Sequence, residues 1–287
     1  MKNWKTKLSD FLFLLPGSLI YLIFMVVPIV VCFYYSFTNW DGISPTYKFI
    51  GLKNFVNLMT DQAFWDSVKT TLILTAFNVI FVNVFGVLIA VWMDKKEKTY
   101  NLCKAVIFIP CVLSSVVVSF IWSYMTQGNG GVINAVIGFF GGANVDFFAS
   151  PFITTLTVTM AISWAGLGFY VTVYDASLKT IPQDLYEAAQ VDGASAFHKF
   201  FRITLPLLVP GLTISIIFSV INALRQYDFV KIMTPQTIET IAVNAVSRMT
   251  DYNMLGYSSA IVLVLFLFIA VVTAVQYLIL KKMEVDY

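Results

Sequence analysis

The sequence predicts an all-α, polytopic membrane protein with six transmembrane helices and a cytoplasmic helix–turn–helix loop. Its 287 residues are 59% hydrophobic and only 12% charged, whereas soluble chains carry about 25% charged residues. Six apolar stretches are long enough for a helix to cross a bilayer, which takes about 20 residues. One long polar stretch shows two successive helical patterns. No internal repeat of solenoid length and no low-complexity tract divides the chain, so we expect a single domain over residues 1–287.

The predicted spans cover residues 11–37, 70–93, 105–125, 152–174, 207–227 and 259–280. The first follows Lys2, Lys5 and Lys7, a pattern that also opens secretory signal peptides. Its apolar run is far longer than the roughly 7–15 residues of a signal core, and no convincing small-residue cleavage site follows. We therefore expect an uncleaved first helix.

The distribution of basic residues predicts the orientation, because cytoplasmic loops carry an excess of Lys and Arg. With the N-terminus inside, the cytoplasmic set is Lys2, Lys5, Lys7, Lys95, Lys96, Lys98, Lys104, Lys179, Lys199, Arg202, Lys281 and Lys282. The opposite side receives Lys48, Lys53, Lys69, Arg225, Lys231 and Arg248. This asymmetry predicts that both termini are cytoplasmic.

Two segments on the predicted outer side have local patterns of their own. Within residues 51–65, apolar side chains recur at helical spacing, namely Leu52, Phe55, Leu58 and Met59. They predict a short helix on the outer surface. Residues 127–142 are rich in glycine, which predicts a flexible or closely packed turn region around residues 132–140.

Composition also excludes several functions. The 18 basic and 16 acidic residues nearly balance, so nothing indicates a nucleic-acid partner. Cys32, Cys103 and Cys111 lack zinc or disulfide spacing, and we expect them to be small buried hydrophobes. His198 is the only histidine of the chain, so we expect it to be solvated or to face a partner, and we expect no metal site.

Residues 179–206 form the longest predicted cytoplasmic segment. Thr180 can cap a helix that begins at Pro182, and Gly193 can end it because glycine adopts positive φ without steric cost. A second helical pattern follows, marked by Phe197, Phe200 and Phe201. Leu205 precedes a proline and is biased away from helix, so we expect the chain to turn there into the fifth span. From periodicity alone, the loop is either packed on the protein's own underside or a surface that another protein approaches at Ala188 and Ala189.

The same loop carries a specific motif, Glu187-Ala188-Ala189, Asp192-Gly193-Ala194, Ile203, Leu205-Pro206 and Pro210. This pattern, EAA-x2-DGA-x8-I-x-LP-x3-P, resembles the EAA loop of permeases in binding-protein-dependent ABC importers. The rest of the chain is similar to sugar-type permeases at Ser36-Phe37-Thr38, Gly51-Leu52, Asn54-Phe55, Phe64-Trp65, Phe108-Ile109-Pro110, Ser114, Trp122, Gly131, Asn134 and Tyr227-Asp228.

The resemblance implies a type I importer subunit, in the inner membrane of a prokaryote, for a mono- or oligosaccharide. Such a subunit works by alternating access with a second permease, two cytosolic ATPase subunits and an extracytoplasmic solute-binding protein, and the sugar branch favours a heterodimer of permeases. The ATPase-coupling residues that it implies are Glu187, Ala188, Ala189, Asp192, Gly193 and Ala194. No G-x-x-x-x-G-K-[ST] loop is present in this chain, so we expect it to bind no cofactor, with ATP and Mg used by the ATPase.

One region departs from the family pattern. Family members usually carry a glycine-rich stretch that ends in GGP after the pair equivalent to Tyr227-Asp228. Here the residues that follow Asp228, up to Gln236, include no glycine. The predicted outer loop is therefore shortened or remodelled.

Polar and aromatic residues inside spans are candidates for the substrate pathway, because such groups are costly in lipid unless they are paired or face a wet cavity. The principal candidates are Asn78, Asn83, Trp164, Tyr170, Asn222 and Gln226, with Trp122, Tyr124 and Arg225 beside them. The asparagines have a second interpretation as hydrogen-bonded bridges between helices. The tryptophans and tyrosines have one as packing or interface anchors.

Two other functions compete with a permease. An ion-coupled secondary transporter of a small polar solute would need carboxylates near the middle of the membrane, and the predicted spans lack them there. Asp175 lies near the cytoplasmic end of the fourth span, where we expect it to pair with Lys179 four residues later. An enzyme acting on lipid would need a catalytic cluster that the sequence does not suggest.

Overall fold

The computed structural model describes residues 4–94, 99–234 and 237–282. Four residues of the predicted cytoplasmic set, Lys2, Lys95, Lys96 and Lys98, lie outside the described residues, as do Pro235 and Gln236. The described ranges are helical, and the β-structure within them is an isolated antiparallel bridge between Thr38 and Phe49.

The helices of the described ranges are numbered here in chain order. They are α1 (Trp4–Tyr21), α2 (Val27–Tyr35), α3 (Lys53–Thr60), α4 (Gln62–Asp94), α5 (Tyr100–Val112), α6 (Ser115–Met125), α7 (Val132–Phe139), α8 (Pro151–Leu178), α9 (Gln183–Val191), α10 (Ala196–Lys199), α11 (Leu205–Leu207), α12 (Val209–Leu224), α13 (Asp228–Met233), α14 (Ile241–Thr250) and α15 (Leu255–Lys281). Two π-helical turns, Leu22–Val26 and Phe200–Thr204, join α1 to α2 and α10 to α11.

Four continuous helices within the described ranges are long and apolar enough to cross a membrane, and they match predicted spans one, two, four and six. Their bounds are Phe11–Tyr35, Gln62–Asp94, Pro151–Leu178 and Leu255–Lys281. The count rises to six if each of two bent helix pairs is one span. The helices α5 and α6 meet at 98°, and Ala196–Leu207 meets α12 at 67°.

The prediction of one unbroken helix over residues 105–125 is therefore wrong. Leu113 and Ser114 both have extended backbones between α5 and α6. The Ser114 hydroxyl accepts a hydrogen bond from the Val117 N–H at 3.3 Å, so it caps α6 as a new helix. Apolar composition hides this break, because a capping serine inside a hydrophobic run changes the hydropathy little.

The described chain divides into two compact units, of which the first comprises the residues up to Gln62 together with Asn244–Phe266. The helix α3 in this unit confirms the predicted short helix. The buried amide of Asn54 donates to the carbonyl oxygens of Ser36 at 2.9 Å and Thr38 at 2.8 Å, so it holds the turn after α2. Among the four apolar residues of the predicted pattern only Leu58 is buried, and a polar residue provides the other core contact.

An ion pair and a hydrogen bond to one carboxylate join the two chain segments of the first unit. The Arg248 guanidinium lies 2.9 Å from Oδ2 of Asp61, and the Tyr257 hydroxyl donates to the same oxygen at 2.6 Å. These contacts join the residue after α3 to α14 and to the first turn of α15.

The second unit comprises residues 63–243 and the chain from Leu267 onward. Its core has two clusters of buried apolar side chains. One contains Leu74, Val118, Val158, Ala161, Ala223, Phe229, Val230, Met233, Ile238 and Val243. The other contains Val82, Val87, Ala90, Met93, Tyr170, Val171, Tyr174, Leu178, Ile181 and Leu208. Both clusters join α4, α8 and their neighbours, so burial is concentrated on the helices that carry most candidate site residues.

The predicted turn region around residues 132–140 is wrong, because α7 occupies it. Asn134 is buried, and its amide nitrogen donates to the carbonyl oxygens of Gln127, Gly128 and Val145. Its side-chain oxygen accepts from the Val145 N–H at 2.9 Å. One amide therefore satisfies the backbone on both sides of α7, and among the glycines of residues 127–142 only Gly138 lies within the helix.

Candidate functional site

The first helix of the 179–206 loop is α9, which begins after Pro182. The prediction that Thr180 caps it is wrong, because the Thr180 hydroxyl donates back to the Ser177 carbonyl oxygen at 2.8 Å, and α9 has no side-chain cap. The preceding helix α8 ends at Leu178, so its last carbonyl groups compete successfully for that hydroxyl. Asp184 lies in the first turn of α9, where a negative charge is favourable.

Gly193 ends α9 in the conformation that the sequence predicts. Its φ is +72°, and its N–H donates to the Gln190 carbonyl oxygen at 3.1 Å. The Ala194 N–H donates to the Ala189 carbonyl oxygen at 2.9 Å. These two bonds form a Schellman motif, which needs a residue that tolerates positive φ at the glycine position.

The second helix of the loop runs from α10 through a π-helical turn into α11. Ser195 caps it by accepting from the His198 N–H at 3.2 Å. The predicted turn at Leu205 is wrong: the chain stays helical to Leu207 and bends at Leu208. Pro206 lies in the first turn of α11, just after the π-helical turn, where its missing N–H removes little regular helical bonding.

The two helices of the loop are tied to each other and to the core. The Tyr186 hydroxyl and the Thr204 hydroxyl are 2.9 Å apart. Ile181 is buried in the second core cluster, and Tyr186 and Phe200 pack against that cluster. The loop is therefore packed against the helices around it.

The outer surface of the loop carries most of the motif. Glu187, Ala188, Asp192 and Gly193 are exposed, whereas Ala189 and Ala194 are half-buried. Beside them, the Phe197 ring is 74% exposed and lies 4.5 Å from the half-exposed Phe201 ring. His198 is exposed as well. The loop thus presents an acidic, small-residue and aromatic surface that its own chain leaves open.

A buried carboxylate lies at the start of this loop. The predicted pair of Asp175 and Lys179 is confirmed, with Nζ and Oδ2 3.2 Å apart. Lys104 of α5 lies 3.2 Å from the same Oδ2, and the Tyr100 hydroxyl donates to it as well. Hydrogen bonding to the Tyr100 hydroxyl, followed by the contact with Asp175, raises the pKa of Lys179, which therefore stays charged.

The two asparagine candidates for the substrate pathway bridge helices. Asn78 of α4 donates to the Ser163 hydroxyl of α8 at 3.0 Å. Asn83 donates to the Ser219 hydroxyl of α12 at 3.2 Å, and its side-chain oxygen accepts from the Tyr174 hydroxyl at 2.5 Å. The polar groups of these spans are thus organised into contacts across three helices.

The aromatic candidates differ in accessibility. The Trp164 side chain is 38% exposed, and its ring centroid lies 6.2 Å from that of Trp122. Tyr170 is 5% exposed and belongs to the second core cluster. Tyr124 is 59% exposed at the end of α6. Of the three, Trp164 and Tyr124 present an accessible ring.

The remaining candidates lie in the last turn of α12 and just after it. Asn222 is exposed, and its side-chain oxygen accepts from the Arg225 guanidinium at 3.4 Å. The Gln226 carbonyl oxygen accepts from the Thr240 hydroxyl at 2.7 Å, which leaves its side-chain amide outside that bond. The candidates are therefore distributed along α4, α6, α8 and α12 and the two residues that follow α12.

The glycine-free residues after Tyr227 form α13. The Asp228 carboxylate begins this helix and accepts from the Ser115 hydroxyl at 2.5 Å. Phe229 and Val230 are buried in the first core cluster. A helix-forming, apolar sequence thus occupies the place where the family pattern has glycines.

Sequence reasoning missed Tyr174 and Ser219, which complete the contacts of Asn83. Tyr174 follows Tyr170 by four residues and so lies on the same face of α8, which is a signal that could have found it. A second signal is the glycine at position 86 of α4. It leaves room for the Tyr174 ring, since a Cβ there would lie 3.0 Å from that ring. Ser219 offers no such signal in an apolar helix.

Comparison with known proteins relates this chain to transport systems. Residues 82–285 match the family model described as "Binding-protein-dependent transport system inner membrane component". The chain is 28% identical to the probable starch degradation products transport system permease protein AmyD of Thermoanaerobacterium thermosulfurigenes, over 99% of this chain and 98% of that protein. It is 30% identical to the trehalose/maltose transport system permease protein MalF of Thermococcus litoralis, over 82% of this chain and 79% of that protein.

Two further comparisons cover nearly the whole chain. The sulfoquinovosyl glycerol transport system permease protein SmoG of Agrobacterium fabrum is 30% identical, over 97% of this chain and 92% of that protein. A chain in the crystal structure of a bacterial alginate ABC transporter, in complex with an alginate pentasaccharide-bound periplasmic protein, has a TM-score of 0.83 at 24% identity, over 99% of this chain and 97% of that chain. The fold is shared over nearly the whole of both chains.

Proposed function

Because the chain belongs to the family of inner membrane components of binding-protein-dependent transport systems, we propose that it is a permease subunit of an ATP-driven importer. It forms part of a path across the membrane, and separate ATPase subunits drive it by alternating access through the 179–206 loop. The observation that carries this proposal is the loop itself. Its motif surface is exposed, while Ile181, Tyr186 and Phe200 pack with the second core cluster and the Tyr186–Thr204 contact joins its two helices.

The proposed substrate is a mono- or oligosaccharide. Relatives named for transport of starch degradation products, of trehalose and maltose, and of sulfoquinovosyl glycerol support this class. Trp164 and Tyr124 offer accessible rings, and Asn222 and Gln226 bring amides, which together are the groups that bind sugar faces and hydroxyls. Asn78 and Asn83 remain candidates, because their side chains could contact the substrate if their hydrogen bonds to neighbouring helices break.

The proposed coupling surface comprises Glu187, Ala188, Ala189, Asp192, Gly193 and Ala194. A small-residue helix lets a partner approach closely, and Gly193 sets the angle between the two helices of the loop. Since the loop is fixed to α8 and to the helix that leads into α12, displacement by an ATPase would move both spans together.

The proposed assembly contains a second, different permease, two cytosolic ATPase subunits and an extracytoplasmic binding protein. ATP and Mg are used by the ATPase subunits, and this chain needs no cofactor of its own. Residues 1–287 act as a single permease domain in the inner membrane of a prokaryote. Each bent helix pair counts as one span, which gives six spans and two cytoplasmic termini.

Purification of the tagged chain in mild detergent, followed by mass spectrometry and reconstitution, tests this function. We expect a second permease and an ATPase to co-purify, and we expect proteoliposomes of the complex with its binding protein to take up labelled maltose, trehalose or maltotriose only with ATP. Recovery of the chain alone under several detergents, with uptake that persists without ATP and collapses with an ion gradient, would contradict the proposal. That result would instead indicate an ion-coupled transporter.

A further inference from the structure

The Asp175 carboxylate gathers groups from two elements onto a single oxygen. Its side chain is 3% exposed, and Oδ2 accepts from the Tyr100 hydroxyl, from Lys104 at 3.2 Å and from Lys179 at 3.2 Å. Within the described residues, Oδ1 is buried and has no hydrogen-bond partner. All the polar contacts of this carboxylate therefore act in one direction, toward α5 and the start of the 179–206 loop.

The three partners lie on two elements, α5 and the 179–206 loop. Tyr100 and Lys104 lie in the first turns of α5, and Lys179 is the first residue of the loop. Lys179 also lies over the Tyr100 ring, with Nζ 4.5 Å from the ring centroid, and donates to the Tyr100 hydroxyl at 2.6 Å. Two residues beyond Lys179, Ile181 is buried in the core. The first residues of the loop are thus held by the ionic contact of Lys179 and by the burial of Ile181.

Loss of this carboxylate would loosen the joint without unfolding the chain. The Lys104 and Lys179 side chains are 39% and 53% exposed, so water can solvate both amines once their partner is gone. With the carboxylate present, two like charges are held close together around one opposite charge. Without it their repulsion is no longer offset, and only the contact with Tyr100 holds Lys179 to α5.

We propose that Asp175 is a positioning residue that locks the entry of the 179–206 loop to α5 and α8, so that force applied to the loop reaches both spans. This inference rests on the proposed function, because it assigns a role in transmission from the ATPase. Asp175 touches neither ATP nor sugar in this role and acts through Lys179 and Tyr100.

The test uses the reconstituted complex with its binding protein, and it measures both the ATPase subunit that co-purifies and the rise in ATP hydrolysis on addition of maltose, trehalose and maltotriose together. For Asp175→Asn we expect normal ATPase retention and a fall in sugar-stimulated hydrolysis of roughly 5- to 150-fold, the usual range of coupling between sites. Asp175→Glu, which keeps the charge, is expected to restore part of it. Asp94→Asn, at an exposed carboxylate at the end of α4, is the matched control and is expected to behave like the wild type.

Tyr100→Phe keeps every charge and the ring, and it is used if Asp175→Asn is not recovered from membranes. We expect it to reduce stimulation and to show no additional loss when combined with Lys179→Met, because both changes break the same joint. Full stimulation in Asp175→Asn or in Tyr100→Phe overturns the positioning role, and so does a loss that merely follows a lower yield of the assembled complex.

Glu187→Arg, studied in parallel, separates this inference from the proposed function. If Glu187→Arg loses the ATPase subunit while Asp175→Asn keeps full stimulation, only the positioning role is wrong. If Glu187→Arg also retains and stimulates the ATPase normally, the loop is not the coupling surface, and both proposals fail.

Discussion

The Tyr174 hydroxyl of α8 donates a hydrogen bond to the side-chain oxygen of Asn83 on α4, with 2.5 Å between the two oxygens. Both side chains are buried, and the Asn83 amide nitrogen continues the contact to Ser219 on α12. Three helices that are distant in sequence are therefore joined through one amide.

Replacing Tyr174 by Phe removes the hydroxyl and keeps the ring. We expect a loss of about 1 kcal/mol in stability, because the Asn83 oxygen loses a donor in a buried site and buried side-chain hydrogen bonds in membrane proteins contribute about that much. Thermal unfolding of the purified protein in detergent measures it. Tyr124→Phe, at an exposed tyrosine, is the control, and equal melting temperatures for the two variants would show that the contact contributes nothing.

Gly86 is expected to tolerate no large side chain. A Cβ at this position would lie 3.0 Å from Cε2 and 3.1 Å from Cδ2 of Tyr174. Gly86→Val should therefore force α4 and α8 apart and cost about 1–3 kcal/mol, seen as a lower melting temperature. Gly17→Val, where no atom lies within 4 Å, should leave the melting temperature unchanged; similar shifts in both variants would disprove the steric explanation.

Gly193 should be replaceable by Asn but not by Val. Its φ of +72° costs a β-carbon-bearing residue about 1–2 kcal/mol, and Asn tolerates this conformation better than other such residues. No atom lies within 4 Å of a Cβ built there, so the backbone alone decides.

For Gly193→Val we expect ATP-driven sugar uptake to fall roughly 5- to 30-fold at normal membrane levels of the protein, the factor that corresponds to that energy. Gly193→Asn should keep most of the uptake. The helical Gly138, which also has open space around it, serves as the control as Gly138→Ala. Full activity of Gly193→Val would show that the turn angle does not matter.

The turn formed by residues 41–44 should keep its structure in mild acid. Asp41 accepts from the Ser44 hydroxyl and from the N–H groups of Ile43 and Ser44, which lowers its pKa to about 2 from the ordinary value of 3.8. Since the folded pKa is lowered, this stabilisation is fully present above pH 3.8 and is lost as the pH falls through about 2. Trp40 donates to the Ser44 carbonyl oxygen at 2.9 Å and reports on the same turn.

The measurement is the difference in fluorescence between the wild type and Trp40→Phe from pH 6 to about pH 2. We expect it to stay constant down to about pH 3 and then to change. In Asp41→Ala the signal should already be altered at pH 6. A wild-type transition centred near pH 4 would mean that the three hydrogen bonds do not favour the charged carboxylate.

What the sequence predicts correctly is local. Gly193 and the pair of Asp175 and Lys179 depend on residues within one helical turn, and the four continuous spans depend on runs of apolar residues. The cap predicted at Thr180 fails because its hydroxyl lies between two helix ends, and the sequence does not specify which end it bonds to.

What the sequence leaves undetermined depends on distant partners. Asn83 and Tyr174 are 91 residues apart, and Asn54 acts through carbonyl groups of the preceding turn. The break at Ser114 and the helix α7 arise where one polar side chain satisfies a few backbone groups, which changes local hydropathy hardly at all. In each case the sequence does not specify which polar donor bonds to which acceptor.

The break between α5 and α6 has a consequence for biogenesis. With 13 and 11 residues, the two halves are about 20 Å and 17 Å long, and at 98° neither crosses the roughly 30 Å of hydrocarbon alone. The two halves are instead held by packing against α8 and α13 and by the hydrogen bond from Ser115 to Asp228. The final conformation of the third hydrophobic segment therefore depends on a residue 113 positions downstream, so we expect it to be completed only after that part of the chain has been made.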